Sequence, residues 1–121
     1  MTSVECFEQA GVTVVRLHGA LTHEGIAQVE RDFEDATHRP GARAVVDLTD
    51  VEMVTTPALS MFIAAATSAK KSGGNIVFTE SPPPVTDVMK RLRLHAVLRT
   101  VTGLDKAIEE AKSGGASVKG D

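Results

Sequence analysis

Two adjacent hydroxyls and a proline, Thr55-Thr56-Pro57, stand where an apolar strand-like run, VVDL (45–48), has given way to a strongly apolar one, ALSMFIAAA (58–66). A proline suits the first turn of a helix, where its missing N–H leaves no bond unmade. A threonine just before it suits the N-cap, its hydroxyl accepting an orphan amide. This reading makes Thr56 the cap of a helix over about 57–72 and accounts for the proline and one threonine. It leaves a second chemistry open. A hydroxyl at a helix N-terminus lies among free amides at the positive end of the dipole, where a phosphoryl group would be well held.

The other chemistry-bearing residues form no catalytic or metal-ligating pattern. His18, His23, His38 and His95 are scattered singly, without metal-ligand spacing; His18 and His23 flank one segment and read as solvated surface residues. Asp47 and Asp50, three apart at a strand end, are better placed to hold turn amides than to share a proton. Cys6 has no basic neighbour in sequence to activate it and reads as a small strand residue. Neither G-x-x-x-x-G-K-[ST] nor G-x-G-x-x-G occurs, and Gly73-Gly74 reads as a helix stop. No nucleophile, base and orienting group can be named together, so the expectation is a protein that is not an enzyme and needs no cofactor or metal.

The bulk composition points the same way. The chain has 121 residues, 42% hydrophobic and 24% charged, enough for one domain with its own core. Four phenylalanines are the only aromatic side chains and the net charge is −3, which argues against a base-stacking or phosphate-binding nucleic-acid surface. One cysteine makes no internal disulfide, and no apolar run is long enough to span a bilayer. A cytoplasmic protein with no membrane insertion is expected.

These residues must be positioned by alternating elements. Residues 4–9 and 12–17 read as a hairpin about Ala10-Gly11, followed by a loop, 18–22. Ile26, Val29, Phe33 and Ala36 mark a helix over 25–38. ARAVVDL (42–48) and NIVFT (75–79) are near-continuous apolar strands, as expected when both faces are covered. The helix between them, 57–72, carries Leu59, Phe62, Ile63 and Ala66 toward the sheet. Pro57, Met61, Ala64 and Ser68 are left outward, with Met61 as an exposed, adaptable contact. The spacing further predicts a helix over 84–93 on Val85, Val88, Met89 and Leu92, a short strand at 98–102, and a closing helix on Leu104, Ala107, Ile108 and Ala111. The order implies an α/β fold: a mixed, mostly parallel sheet of about five strands with about four helices, 44–48 and 75–79 being buried parallel neighbours. The folded domain is expected over 1–112, with 113–121 a disordered tail.

The layout over about residues 4–112 resembles the STAS domain, the fold of bacterial anti-sigma factor antagonists. The family signature D-L-[ST]-x-V-x-[FM]-[IV]-D-[ST]-[ST]-G-L is matched by D-L-T-D-V-E-M-V-T-T-P-A-L at 47–59, through Asp47, Leu48, Thr49, Val51, Met53, Val54, Thr56 and Leu59. The strand entry Gly73 to Phe78 and the helix from Val85 to Leu94 fit as well. The resemblance implies partner switching. An anti-sigma factor of the ATPase-fold kinase type phosphorylates the hydroxyl after the signature aspartate, a position occupied by Thr56. Phosphorylation breaks the complex, and a phosphatase restores it. The resemblance implies a partner surface of Thr22, Thr55, Thr56, Pro57, Met61, Ala64 and Ser68. The chain departs from the pattern where Thr55 replaces the signature aspartate, Pro57 the second hydroxyl, Ala58 the glycine, and Thr22 the acid of an earlier G-x-[IL]-D motif. A second function remains open: a STAS accessory or scaffold subunit that docks an ATPase through the same helix face without being phosphorylated. A small-ligand binder using the segments 18–23 and 49–57 is a third.

Overall fold

The computed structural model describes residues 2–117, with side chains described through residue 112. Its elements run β1 (Ser3–Gln9), β2 (Val12–Leu21), α1 (His23–Thr37), β3 (Arg43–Val54), α2 (Thr56–Lys71), β4 (Asn75–Thr79), α3 (Pro83–Arg91), a short 3-10 turn (Leu94–Ala96), β5 (Thr100–Val101) and α4 (Leu104–Ser117). One five-stranded sheet has the order β1-β2-β3-β4-β5. β1 pairs antiparallel with β2, and every other neighbouring pair is parallel.

The hairpin turns on Ala10 and Gly11, both at positive φ (55° and 82°), the pair of left-handed residues that a two-residue turn of matching twist demands. β3 and β4 pair in parallel from Arg43↔Asn75 to Asp47↔Thr79, joined by α2, as the apolar runs predict. α1, α2 and α3 bury Ile26, Val29, Phe33, Phe62, Val85 and Met89 against Val15, Leu17, Val46 and Phe78 on one sheet face. α4 covers the other face with Ala107, Ile108 and Ala111 against Val14, Val45 and Val77. The strands in the middle are therefore covered twice, which is why their sequences are almost continuously apolar.

Two expected loops are strand. β2 continues through His18 to Leu21, and β3 runs on to Val54 as its partner. Their register holds by two irregularities: Arg16↔Asp47 is followed by His18↔Asp50, and Gly19↔Val51 by Ala20↔Met53, so β3 carries an extra residue each time. Elsewhere the differences are smaller. β5 contracts to two residues, and Leu92, expected on the buried stripe of α3, is 54% exposed where that helix ends. α4 reaches Ser117, past the expected domain boundary at 112, and residues 118–121 of the expected tail lie outside the described residues.

Candidate functional site

α2 starts one residue earlier than its sequence suggests. Its N-cap is Thr55, with extended backbone, and Thr56 is already helical; the reading of Thr56 as cap is corrected. The Thr55 hydroxyl does not cap the helix either. It donates to the Leu21 carbonyl at 2.8 Å, across to the end of β2. The first turn is consequently uncapped by any side chain, holds no acidic residue, and carries Pro57, which has no N–H. Thr56, next to this partly open positive end, is exposed.

The neighbouring helix start is built differently. Thr22 is the N-cap of α1, and its hydroxyl accepts from the Gly25 amide at 3.1 Å. Gly25 has to be glycine because a Cβ there would sit 2.3 Å from the Ala20 carbonyl oxygen and 2.7 Å from Thr2 Oγ1. Thr2 Oγ1 itself donates to Ala20 O at 2.8 Å, which packs the chain start, the end of β2 and the head of α1 together. The Thr55–Leu21 bond adds the head of α2 to that group.

Met61 is not on the surface. It is 5% exposed and belongs to the core cluster that holds Ile26, Val29 and Phe33. The buried face of α2 is Ala58, Leu59, Met61, Phe62, Ala65 and Ala69, rotated by less than one residue's step from the expected stripe. The cause is twofold: α1 packs on α2 as well as the sheet does, and the three alanines of the buried face, Ala58, Ala65 and Ala69, carry little hydrophobic signal. Ile63 and Ala66, expected toward the sheet, are only partly buried at its flank. The outward face is Thr56, Pro57, Ser60, Ala64 and Thr67, with Ser68 half-buried beside it. Pro57 and Ala64 stand as expected; Ser60 and Thr67, missed in the sequence, follow from Pro57 at helical steps of three, four and three.

On the opposite sheet face lies a charged cluster. Asp47, 4% exposed, accepts from the Thr49 hydroxyl at 2.6 Å, the Thr49 amide at 3.0 Å and Arg16 Nε at 3.0 Å. Burial by itself would push its carboxyl up; the Thr49 and Arg16 bonds together outweigh that and hold it below the usual carboxylate range. The role expected for Asp47, holding a local amide, is therefore met. Arg16 also lies over the Phe7 ring, 5.3 Å from its centroid. His18 turns to Glu5 (2.8 Å) and Asp50 (3.2 Å). Cys6, an exposed residue of β1, has a basic residue within electrostatic reach, Arg39, though none beside it in sequence. Partial desolvation and Asp32 nevertheless push the thiol up.

A family model described as "Mlab, STAS domain" matches residues 7–103. The chain belongs to the STAS domain family. No curated protein sequence matches it. The fold of this STAS domain is shared by solved structures of low identity. An anti-sigma factor antagonist from Mycobacterium paratuberculosis is 18% identical with a TM-score of 0.81, over 93% of this chain and 95% of its own. A putative anti-sigma factor antagonist from Thermotoga maritima is 18% identical with a TM-score of 0.81, over 90% and 94%. The anti-sigma factor antagonist SpoIIAA in its unphosphorylated form is 14% identical with a TM-score of 0.72, over 93% and 97%. Among the described residues of this STAS domain, no helix is long and apolar enough to cross a membrane, and no group of three or more His, Cys, Asp or Glu could hold a metal ion.

Proposed function

We propose that this STAS domain is an anti-sigma factor antagonist of the cytoplasm. It captures an anti-sigma factor of the ATPase-fold kinase type and so frees a sigma factor, without catalysing a reaction itself. Thr56, Pro57 and Ala64 supply the contact, with Thr22, Thr55 and Ser68 at its rim; Met61 supports the face from below. Phosphorylation of Thr56 by the captured partner reverses the docking, and a phosphatase restores it.

The observation that carries this reading is the division of labour between two adjacent threonines. The Thr55 hydroxyl is spent on the Leu21 carbonyl, whereas Thr56 is exposed at the open first turn of a helix whose outer face is small and flat. A phosphate on Thr56 would place roughly −1.5 to −2 charges at the edge of that face. Its partner, having been fitted to alanine, serine and threonine, would meet bulk and charge.

Pro57 favours a second reading, an accessory or scaffold subunit that docks an ATPase through the same face and is never phosphorylated. The missing N–H removes one of the amides that would hold a phosphate. Incubation with a candidate partner kinase of the ATPase-fold type and ATP, followed by mass spectrometry, separates the two. One phosphate, absent from Thr56→Ala and kept in Thr55→Ala, is the expected result. No phosphate with a kinase active on its own control substrate overturns the switch and leaves the accessory reading.

A further inference from the structure

A cavity of about 420 Å³ opens beyond the carboxyl ends of β4 and β5, bordered by Thr49 of β3 and Thr86 of α3. Parallel sheets place ligands at this end, and the volume is within the range of small-molecule sites. The wall is unusual in composition: Thr49, Ser81, Thr86, Thr100 and Thr102 bring hydroxyls, Glu80 brings a carboxylate, and no cationic side chain lines it.

The hydrogen-bond directions decide what such a wall can take. Thr49 Oγ1 gives its proton to Asp47, Thr86 Oγ1 to the Ser81 carbonyl at 3.0 Å, and Thr100 Oγ1 to the Leu98 carbonyl at 3.2 Å. With those protons committed, the three oxygens have only lone pairs to offer. The Glu80 carboxylate is likewise an acceptor. An anion finds little to bind: only the Ser81 and Thr102 hydroxyls keep a proton to offer, α3 opens with Pro83 and Pro84, which have no N–H, and the Val85 and Thr86 amides are both taken by the Pro82 carbonyl. A hard metal ion would want several carboxylates, and the wall has one.

Two further observations mark this end of the sheet as a place built for a partner. The Ser81 hydroxyl oxygen is buried with no hydrogen-bond partner, and behind the wall the hydroxyl of Thr79, fully buried and in register with the wall residue Val101, has none either. Such orphans are costly unless something satisfies them. Glu80 is held at φ 58°, a left-handed conformation in which glycine would be at ease and glutamate is strained. Strain of this kind persists only where the surrounding structure imposes it, and it clusters at ligand sites.

We infer that this cavity binds a small organic cation bearing N–H donors, an ammonium or guanidinium group, with Glu80 as counter-ion and the threonine and serine oxygens as acceptors. The group could be carried by a free amine or by a lysine side chain of a docked chain; the chemistry is shared. It is independent of the α2 face and of Thr56.

Amide chemical shifts of the intact protein, followed while putrescine is added, test the site. Saturable shifts are expected at residues 80–82 and 100–102, with none from the uncharged diol of the same length. Glu80→Gln, which keeps shape and removes charge, should weaken binding at least about tenfold at unchanged melting temperature. Ser81→Ala should weaken it less. Titration with Nα-acetyl-lysine methylamide separates the sources: tighter binding than putrescine assigns a side chain, weaker binding a free amine. Absence of saturable shifts with either cation, equal binding of the diol, or binding indifferent to Glu80→Gln overturns the proposal.

Discussion

Thr55 Oγ1 donates to the Leu21 carbonyl at 2.8 Å, so one hydroxyl ties the head of α2 to the end of β2 across 34 positions of sequence. The Leu21 carbonyl lies at the last residue of β2. Thr55→Val, close in shape, should lower stability by about 0.5–1.5 kcal/mol, read from urea unfolding. Thr55→Ser should restore most of the loss. If valine costs nothing, the bond is incidental.

Met61 and Ala64 should behave in opposite ways. Met61→Ala should cost about 2–5 kcal/mol, the range for emptying a packed core position. Met61→Lys, placing a charge there, should unfold more of the protein still. Ala64→Glu, on the outer face, should leave the urea midpoint within about 0.5 kcal/mol of wild type while abolishing capture of the anti-sigma partner. A partner that binds Ala64→Glu as tightly as wild type would exclude this face as the contact.

The Asp47 cluster predicts the acid limb of stability. A carboxyl whose pKa is lower folded than unfolded stabilises above its unfolded value, about 3.9, and loses that contribution as pH falls toward the folded value. The stability gap between wild type and Asp47→Asn should therefore be constant from neutral pH to about 5 and then shrink on acidification. A gap that widens in acid would contradict the assignment.

Cys6 should alkylate with iodoacetamide at neutral pH more slowly than the same thiol in the urea-unfolded chain, because partial desolvation on the folded surface and then Asp32 raise it. Asp32→Asn should speed the reaction and Arg39→Gln slow it. An unchanged rate in both variants would mean that access, rather than charge, governs this thiol.

Much of the sheet was legible because burial on both faces writes itself as unbroken apolar runs, as in 44–48 and 75–79. α1 was legible too, since Ile26, Val29, Phe33 and Ala36 repeat at the helical period and are all buried. The site was less so. Either threonine of the pair satisfies the rules for an N-cap; which one takes the position depends on a carbonyl remote in sequence, and no local pattern records that. Met61 points outward in a stripe centred on large residues, and inward once the buried alanines Ala58, Ala65 and Ala69 are counted with them. Residues 49–54 do not read as strand because their buried members, Val51 and Val54, follow Leu48 at every third residue instead of every second.

That last spacing fixes something composition does not. In a strand of strict period two, Asp50 and Glu52 would follow Leu48 into the core; the two supernumerary residues let Val51 and Val54 take those places while Asp50 meets His18. The arm of β3 therefore behaves like a reading frame. Exchanging the exposed Glu52 for another polar residue leaves the frame intact, but loss of one residue between 49 and 53 would exchange inside for outside along everything that follows, up to the threonine pair. Among related chains, this stretch should vary in content and keep its count.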